Sequence, residues 1–115
     1  MSRYTCLLTL SNSSDNLQKT LLDVVKSCGY DIIYQTGDYF MAREIPGHVT
    51  FAKLVTIEAL IDRTMATERE IRMKMVIKNE ELPLTVENHC KLQFEAVSKA
   101  IATNPQIQLI ESVLS

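Results

Sequence analysis

The sequence contains no tryptophan, and glycine, proline and cysteine occur only three times each in 115 residues. With so few chain breakers, most of the length is left to regular elements. Cys6, Cys28 and Cys90 fall in three different predicted elements with no CxxC spacing, which excludes a disulfide framework and reads as reduced thiols of a cytosolic protein. Long hydrophobic runs are missing too. Stretches such as Ala59-Leu60-Ile61 fall far short of the roughly 18 residues a spanning helix needs. Met1-Ser2-Arg3-Tyr4 leads straight into an alternating segment, without the charged and then apolar regions of a signal peptide. Without secretion, the glycosylation acceptor Asn12-Ser13-Ser14 has no consequence.

An excess of one charge is also absent. Twelve basic against fourteen acidic residues give a net charge of -2. That balance argues against a general binder of nucleic-acid backbone and against a polybasic membrane surface. Hydrophobic residues at 46% and charged residues at 23% match a soluble globular chain rather than a disordered one. The length suits one domain spanning residues 1–115 with a core of its own.

Residues 3–10 alternate, with Tyr4, Cys6, Leu8 and Leu10 on one side, and predict a strand. Ser11-Asn12-Ser13-Ser14-Asp15 then offers N-cap candidates for a helix whose buried stripe is Leu17, Leu21, Val24, Val25 and Cys28. Leu22 lies off that stripe and is expected to be exposed or to touch a partner. Gly29 ends the helix. Residues 30–35 and 39–45 form a hairpin around Thr36-Gly37-Asp38. After a loop at Pro46-Gly47, residues 51–62 and 68–79 read as a second hairpin. Val55, Ile57, Ala59 and Ile61 face the same way as Ile71, Met73, Met75 and Ile77.

After the loop at residues 79–83 a long helix is predicted, with Thr85 as N-cap and Glu87 in its first turn. Val86, Cys90, Gln93, Phe94, Val97, Ala100 and Ile101 share its inner face, and Glu87, Lys91, Glu95 and Ser98 the outer one. Asn104-Pro105 closes it. Residues 106–114 fit either a last strand or a short helix begun by Pro105, with the strand preferred. The order β-α-β-β-β-β-α-β gives an α+β two-layer sandwich: a mostly antiparallel sheet of about five or six strands with both helices on one face. In topology it is similar to a TATA-binding-protein-like unit or a small helix-grip domain, and topology alone implies no function.

Assignable chemistry is scarce. His48 has no nucleophile or acid at a motif spacing, and His89 reads as a boundary residue of the long helix. Its neighbour Cys90 points about 100° away, so the two cannot share a metal. There is no HExxH, no paired CxxC and no glycine-rich phosphate loop, so neither a metal nor a cofactor is expected. Glu80-Glu81 reads as a solvated loop. An enzyme would need His48 to reach Glu44 or another acid inside a cleft. No catalytic residue is assigned.

Arg72, Lys74 and Lys78 alternate with the apolar set of their strand and share its opposite face. Glu58 and Asp62 occupy the matching face across the hairpin, so cross-strand pairing accounts for the stripe, and no nucleic-acid partner is expected. The first hairpin is different. Tyr30, Ile32, Tyr34, Tyr39 and Met41 compete with Ile33, Phe40 and Ala42 for inward positions, and Leu54, Leu60 and Val76 add apolar area to the outer face. A sheet with one face in water reads more cleanly apolar and polar. The expected interaction surface is therefore Tyr34, Tyr39, Met41, Leu54, Glu58, Leu60, Arg72 and Lys74, used by a protein partner or a second copy. The alternative is a pocket for a small apolar ligand between the long helix and the sheet, lined by Met65, Met73, Met75, Phe94 and tyrosines.

The segments Asp31-Ile32-Ile33-Tyr34-Gln35-Thr36-Gly37-Asp38-Tyr39, Met41-Ala42-Arg43-Glu44 and Val76-Ile77-Lys78-Asn79-Glu80-Glu81-Leu82-Pro83 resemble small uncharacterised proteins of cyanobacteria. The resemblance implies a cytoplasmic protein of an oxygenic phototroph and carries no activity.

Overall fold

The computed structural model describes residues 1–11, 16–64, 66–83 and 87–114. Alternation drives Ser2–Ser11 into strand β1, and helix α1 follows at Leu17–Ser27. Gly29, at φ +92°, takes the left-handed position beyond the Cys28 C-cap, where a Cβ would be strained. Strands β2 (Tyr30–Gln35) and β3 (Tyr39–Glu44) form the first hairpin. Strands β4 (Thr56–Asp62) and β5 (Glu70–Asn79) form the second. Helix α2 (His89–Thr103) and strand β6 (Leu109–Leu114) complete the chain, so the preferred assignment of the tail is the observed one.

The six strands lie in the order β2-β3-β4-β5-β1-β6, every neighbouring pair antiparallel. The first strand thus sits between two of the last. The inner face is a closed apolar layer. Cys6, Leu8, Leu10, Ile57, Ala59, Ile61, Ile71, Met73, Met75 and Ile77 are all buried there beneath the helices, as their alternation predicts. Tyr4 of β1 stacks on Phe94 of α2 with ring centroids 5.3 Å apart.

Several expectations need correction. Phe51–Lys53 is a short 3₁₀ helix rather than the start of β4, and Phe51 is 86% exposed. Leu22 is buried: α1 packs against both β2 and α2, so its apolar arc is wider than a single-face stripe. Helix α2 begins at His89, so Glu87 precedes its first turn. Asn88 is the N-cap, its side-chain oxygen accepting from the Lys91 N–H at 2.9 Å. The Thr85 cap, the Val86 face position and the cap candidates at 12–15 lie outside the described residues, as does Met65. Ser98 is half-buried rather than outward.

The hairpin that seemed apolar on both sides is resolved by a register shift between Ile32 and Tyr34. Tyr30, Phe40 and Ala42 are buried on the inner face with Ile32 packed beside them, while Tyr34, Tyr39 and Met41 turn outward. An irregularity of this kind changes which side a residue faces without any change in the sequence alternation.

Candidate functional site

Two polar assemblies stand out, one at the inner edge of the core and one on the outer face of the sheet. The inner assembly gathers strand ends around the start of α2. Glu44 holds inward parity with Phe40 and Ala42, and its carboxylate is almost fully buried. Both its oxygens lie 2.9 Å from His89 Nε2, and Oε1 also accepts from the Val55 N–H at 3.1 Å. The imidazole that meets Glu44 therefore belongs to His89. His48 is exposed in the loop after Gly47, which removes the geometry an enzyme reading required of it. His89 is likewise more than a boundary residue, its side chain being 15% exposed.

Beside this pair, the Glu81 carboxylate accepts from the N–H groups of His89 at 3.1 Å and Cys90 at 2.9 Å, and from the Asn79 amide at 2.6 Å. A carboxylate on the first N–H groups of a helix also meets the positive end of its dipole. Burial alone would raise the Glu81 carboxyl. The Asn79 amide and the Cys90 and His89 N–H groups, with Lys53 nearby, instead hold it below the usual range. The Asn88 amide donates to Ser2 Oγ at 2.7 Å, and Ser2 Oγ donates to the Glu81 carbonyl at 3.1 Å. So Glu81 is not the solvated loop residue its neighbour Glu80 suggested.

These groups satisfy one another, and the assembly fixes the entry of α2 onto the sheet. Burial, then the Glu81 and Glu44 carboxylates, push the Cys90 thiol up to about 12, so it stays protonated at neutral pH. The Tyr30 hydroxyl donates to Gln93 Oε1 at 2.8 Å, and burial and Glu44 push that phenol far above its ordinary value. No cluster of three or more His, Cys, Asp or Glu side chains suited to a metal occurs among the described residues.

The outer face is assembled by register. Leu60 of β4 lies between Tyr39 of β3 and Lys74 of β5. Lys74 pairs with Leu7 of β1, and Leu7 with Val113 of β6. One row thus crosses five strands and is apolar except at Lys74. Leu7, Leu60 and Val113 are 47%, 50% and 46% exposed, so nothing in the fold covers it. Next to it Asp62 faces Arg72, and on the other side Tyr34, Met41 and Glu58 follow one another. Tyr34 and Tyr39 rings meet at 6.0 Å. Burial, then Glu58 and Tyr34, raise the Tyr39 phenol.

A cleft of about 660 Å³ opens on this face, with Leu7, Leu60 and Val113 in its wall and Asp38, Arg63, Arg72, Lys74 and Glu111 around it. Arg63 is paired with Asp38, and Lys78 with Glu58 at 3.1 Å. Arg72, opposite Asp62, and Lys74 make no salt bridge with a described residue. Of the eight residues expected to form an interaction surface, seven share this outer face. Leu54 precedes β4 and has no place in the sheet register. Met73 and Met75 are core side chains at 2% and 1% exposure, and Phe94 stacks on Tyr4, so the side chains of the alternative pocket are occupied in packing.

Sequence reasoning missed the inner assembly, although parity held a signal. Ser2, Glu44 and Asn79 all occupy inward positions at strand ends, where a polar side chain needs a buried partner. No helix among the described residues is long and apolar enough to cross a membrane. Comparison with family models, with curated proteins and with solved structures finds no match for this chain.

Proposed function

We propose that this chain is a non-enzymatic interaction module that docks a protein segment on the outer face of its sheet. The observation that carries the reading is the exposed row Tyr39-Leu60-Lys74-Leu7-Val113 beside a cleft whose Arg72, opposite Asp62, and Lys74 make no salt bridge with a described residue. An apolar floor edged by cations outside any salt bridge suits a segment that seats one large apolar side chain between carboxylates. Tyrosine and arginine on such a surface supply contact area and hydrogen bonds together. Three free thiols, at Cys6, Cys28 and Cys90, support a reducing cytoplasmic setting for the encounter.

Selection of a random displayed-peptide library on the purified chain tests the reading. Enrichment of peptides with a large apolar residue flanked by Asp or Glu is expected, with binding that weakens as salt rises. Leu60→Glu and Lys74→Glu should each abolish that binding while the melting curve stays in place. A library that yields no such enrichment, or peptides that bind Leu60→Glu as well as the native chain, would overturn it.

A further inference from the structure

The two edges of the sheet are finished differently. β2 is backed by α1, carries Asp31 and the register shift before Tyr34, and is followed by a bond from the Gln18 amide to the Thr36 carbonyl. Charge and irregularity of this kind blunt an edge. β6 is hydrogen-bonded to β1 on one side and, among the described residues, to no strand on the other. The helices pack chiefly on β1, β2, β5 and each other. Ile110, Val113 and Leu114 are 47%, 46% and 63% exposed, and the only charge in the strand is Glu111. An apolar strand with an open row of N–H and C=O groups is a template for another strand.

The sequence of β6 fits its own reverse. Directly opposed residues of an antiparallel pair point to the same face. Glu111 and Val113 face outward with Thr9 and Leu7, and Ser112 and Leu114 face inward with Leu8 and Cys6. A two-fold axis through Ser112 sets Ser112 against its own copy, Glu111 against Val113, and Ile110 against Leu114. Glu111 and Val113 then share the outer face, Glu111 meets no second carboxylate, and Ile110, beside the irregularity next to Leu109, comes level with Leu114. An axis through Glu111 would instead oppose two carboxylates. A closed two-fold contact of this kind ends the edge rather than propagating it.

We infer that β6 is a self-pairing edge, through which two copies of this chain join antiparallel about Ser112 into one continuous sheet. All four helices then lie on one side, and both docking faces lie open on the other. The inference stands apart from the docking proposal, because it uses the backbone edge and, of the outer row, Val113 alone.

Charge placed at the axis tests it. Sedimentation of the native chain should give a dimer. Ser112→Lys alone and Ser112→Glu alone should each be monomeric, since each opposes like charges, with a several-fold or greater rise in dimer Kd. A one-to-one mixture of the two variants should recover a dimer, because the axis now opposes Lys to Glu. Circular dichroism confirms that each variant is folded, and Val113→Glu, which sets a second carboxylate against Glu111 of the other copy, provides a second disruption should either fail. A native chain that stays monomeric at its highest soluble concentration would overturn the inference. So would a dimer indifferent to both substitutions, a mixture that remains monomeric, or a dimer that Leu60→Glu breaks and Ser112→Lys does not.

Discussion

Strand β5 carries Met73 and Met75 at 2% and 1% exposure on one side, and Arg72 and Lys74 in solvent on the other. The same contrast runs through β4, where Ile57, Ala59 and Ile61 are closed in the core while Leu60 stands half in water. Adjacent residues of one strand therefore serve different ends. The inner face makes the fold, with a polar seam at its margin to hold α2. The outer face contributes little to the fold and keeps apolar area and uncommitted charge in reach of a partner. A residue's depth, more than its chemical type, separates the two roles.

That separation can be broken from the inside first. Met75→Ala should destabilise the chain by about 2–5 kcal/mol, as deletion of a fully buried side chain leaves a cavity. A denaturant titration would register this as a lower midpoint at unchanged slope. At the polar seam, His89→Ala strips the buried Glu44 carboxylate of its side-chain partner and leaves only the Val55 N–H. The expected cost is about 1–3 kcal/mol, read from the same titration.

Acid gives a finer probe of the seam. The native Glu81 carboxyl lies below its usual range, so its contribution is full above the unfolded value and is lost as pH falls through the native one. Melting temperature should therefore drop on acidification, and Glu81→Gln should flatten that limb while lowering stability at neutral pH. The smallest effect belongs to the outer face. Leu60→Glu, which sets a carboxylate opposite Lys74, should change stability by no more than about 0.5 kcal/mol. A loss at Leu60 as large as that at Met75 would mean the outer row is part of the core after all.

Much of this arrangement could be read from the chain. Period-two alternation in β1, β4 and β5 gave the correct inward set, and the two helix stripes fixed the side on which the helices lie. The outer row emerged from the same parity argument, since Leu60 is out of phase with Ile57, Ala59 and Ile61 in the core. Three things were hidden for physical reasons. The register shift at Ile32 changes facing without changing composition. The 3₁₀ turn at Phe51–Lys53 reads as strand because Phe51 favours a strand and the turn runs directly into the strand-forming Val55, Thr56 and Ile57. The approach of His89 to Glu44 joins residues far apart in sequence, and only the placement of α2 across the sheet brings them together.

The place of β1 between β5 and β6 also has a consequence in time. During synthesis β1 and α1 emerge first, yet the strand that completes the Tyr4-Cys6-Leu8 side of the layer ends at Asn79. The meander from β2 to β5 pairs strands that follow one another along the chain, whereas β1 must hold its apolar side unpaired until that meander is made. Pairing across so much chain is costly in loop entropy and slow to form. The nascent protein therefore passes through an interval in which its earliest strand is its most exposed one, and a partner such as a chaperone would find its handle at residues 4–10.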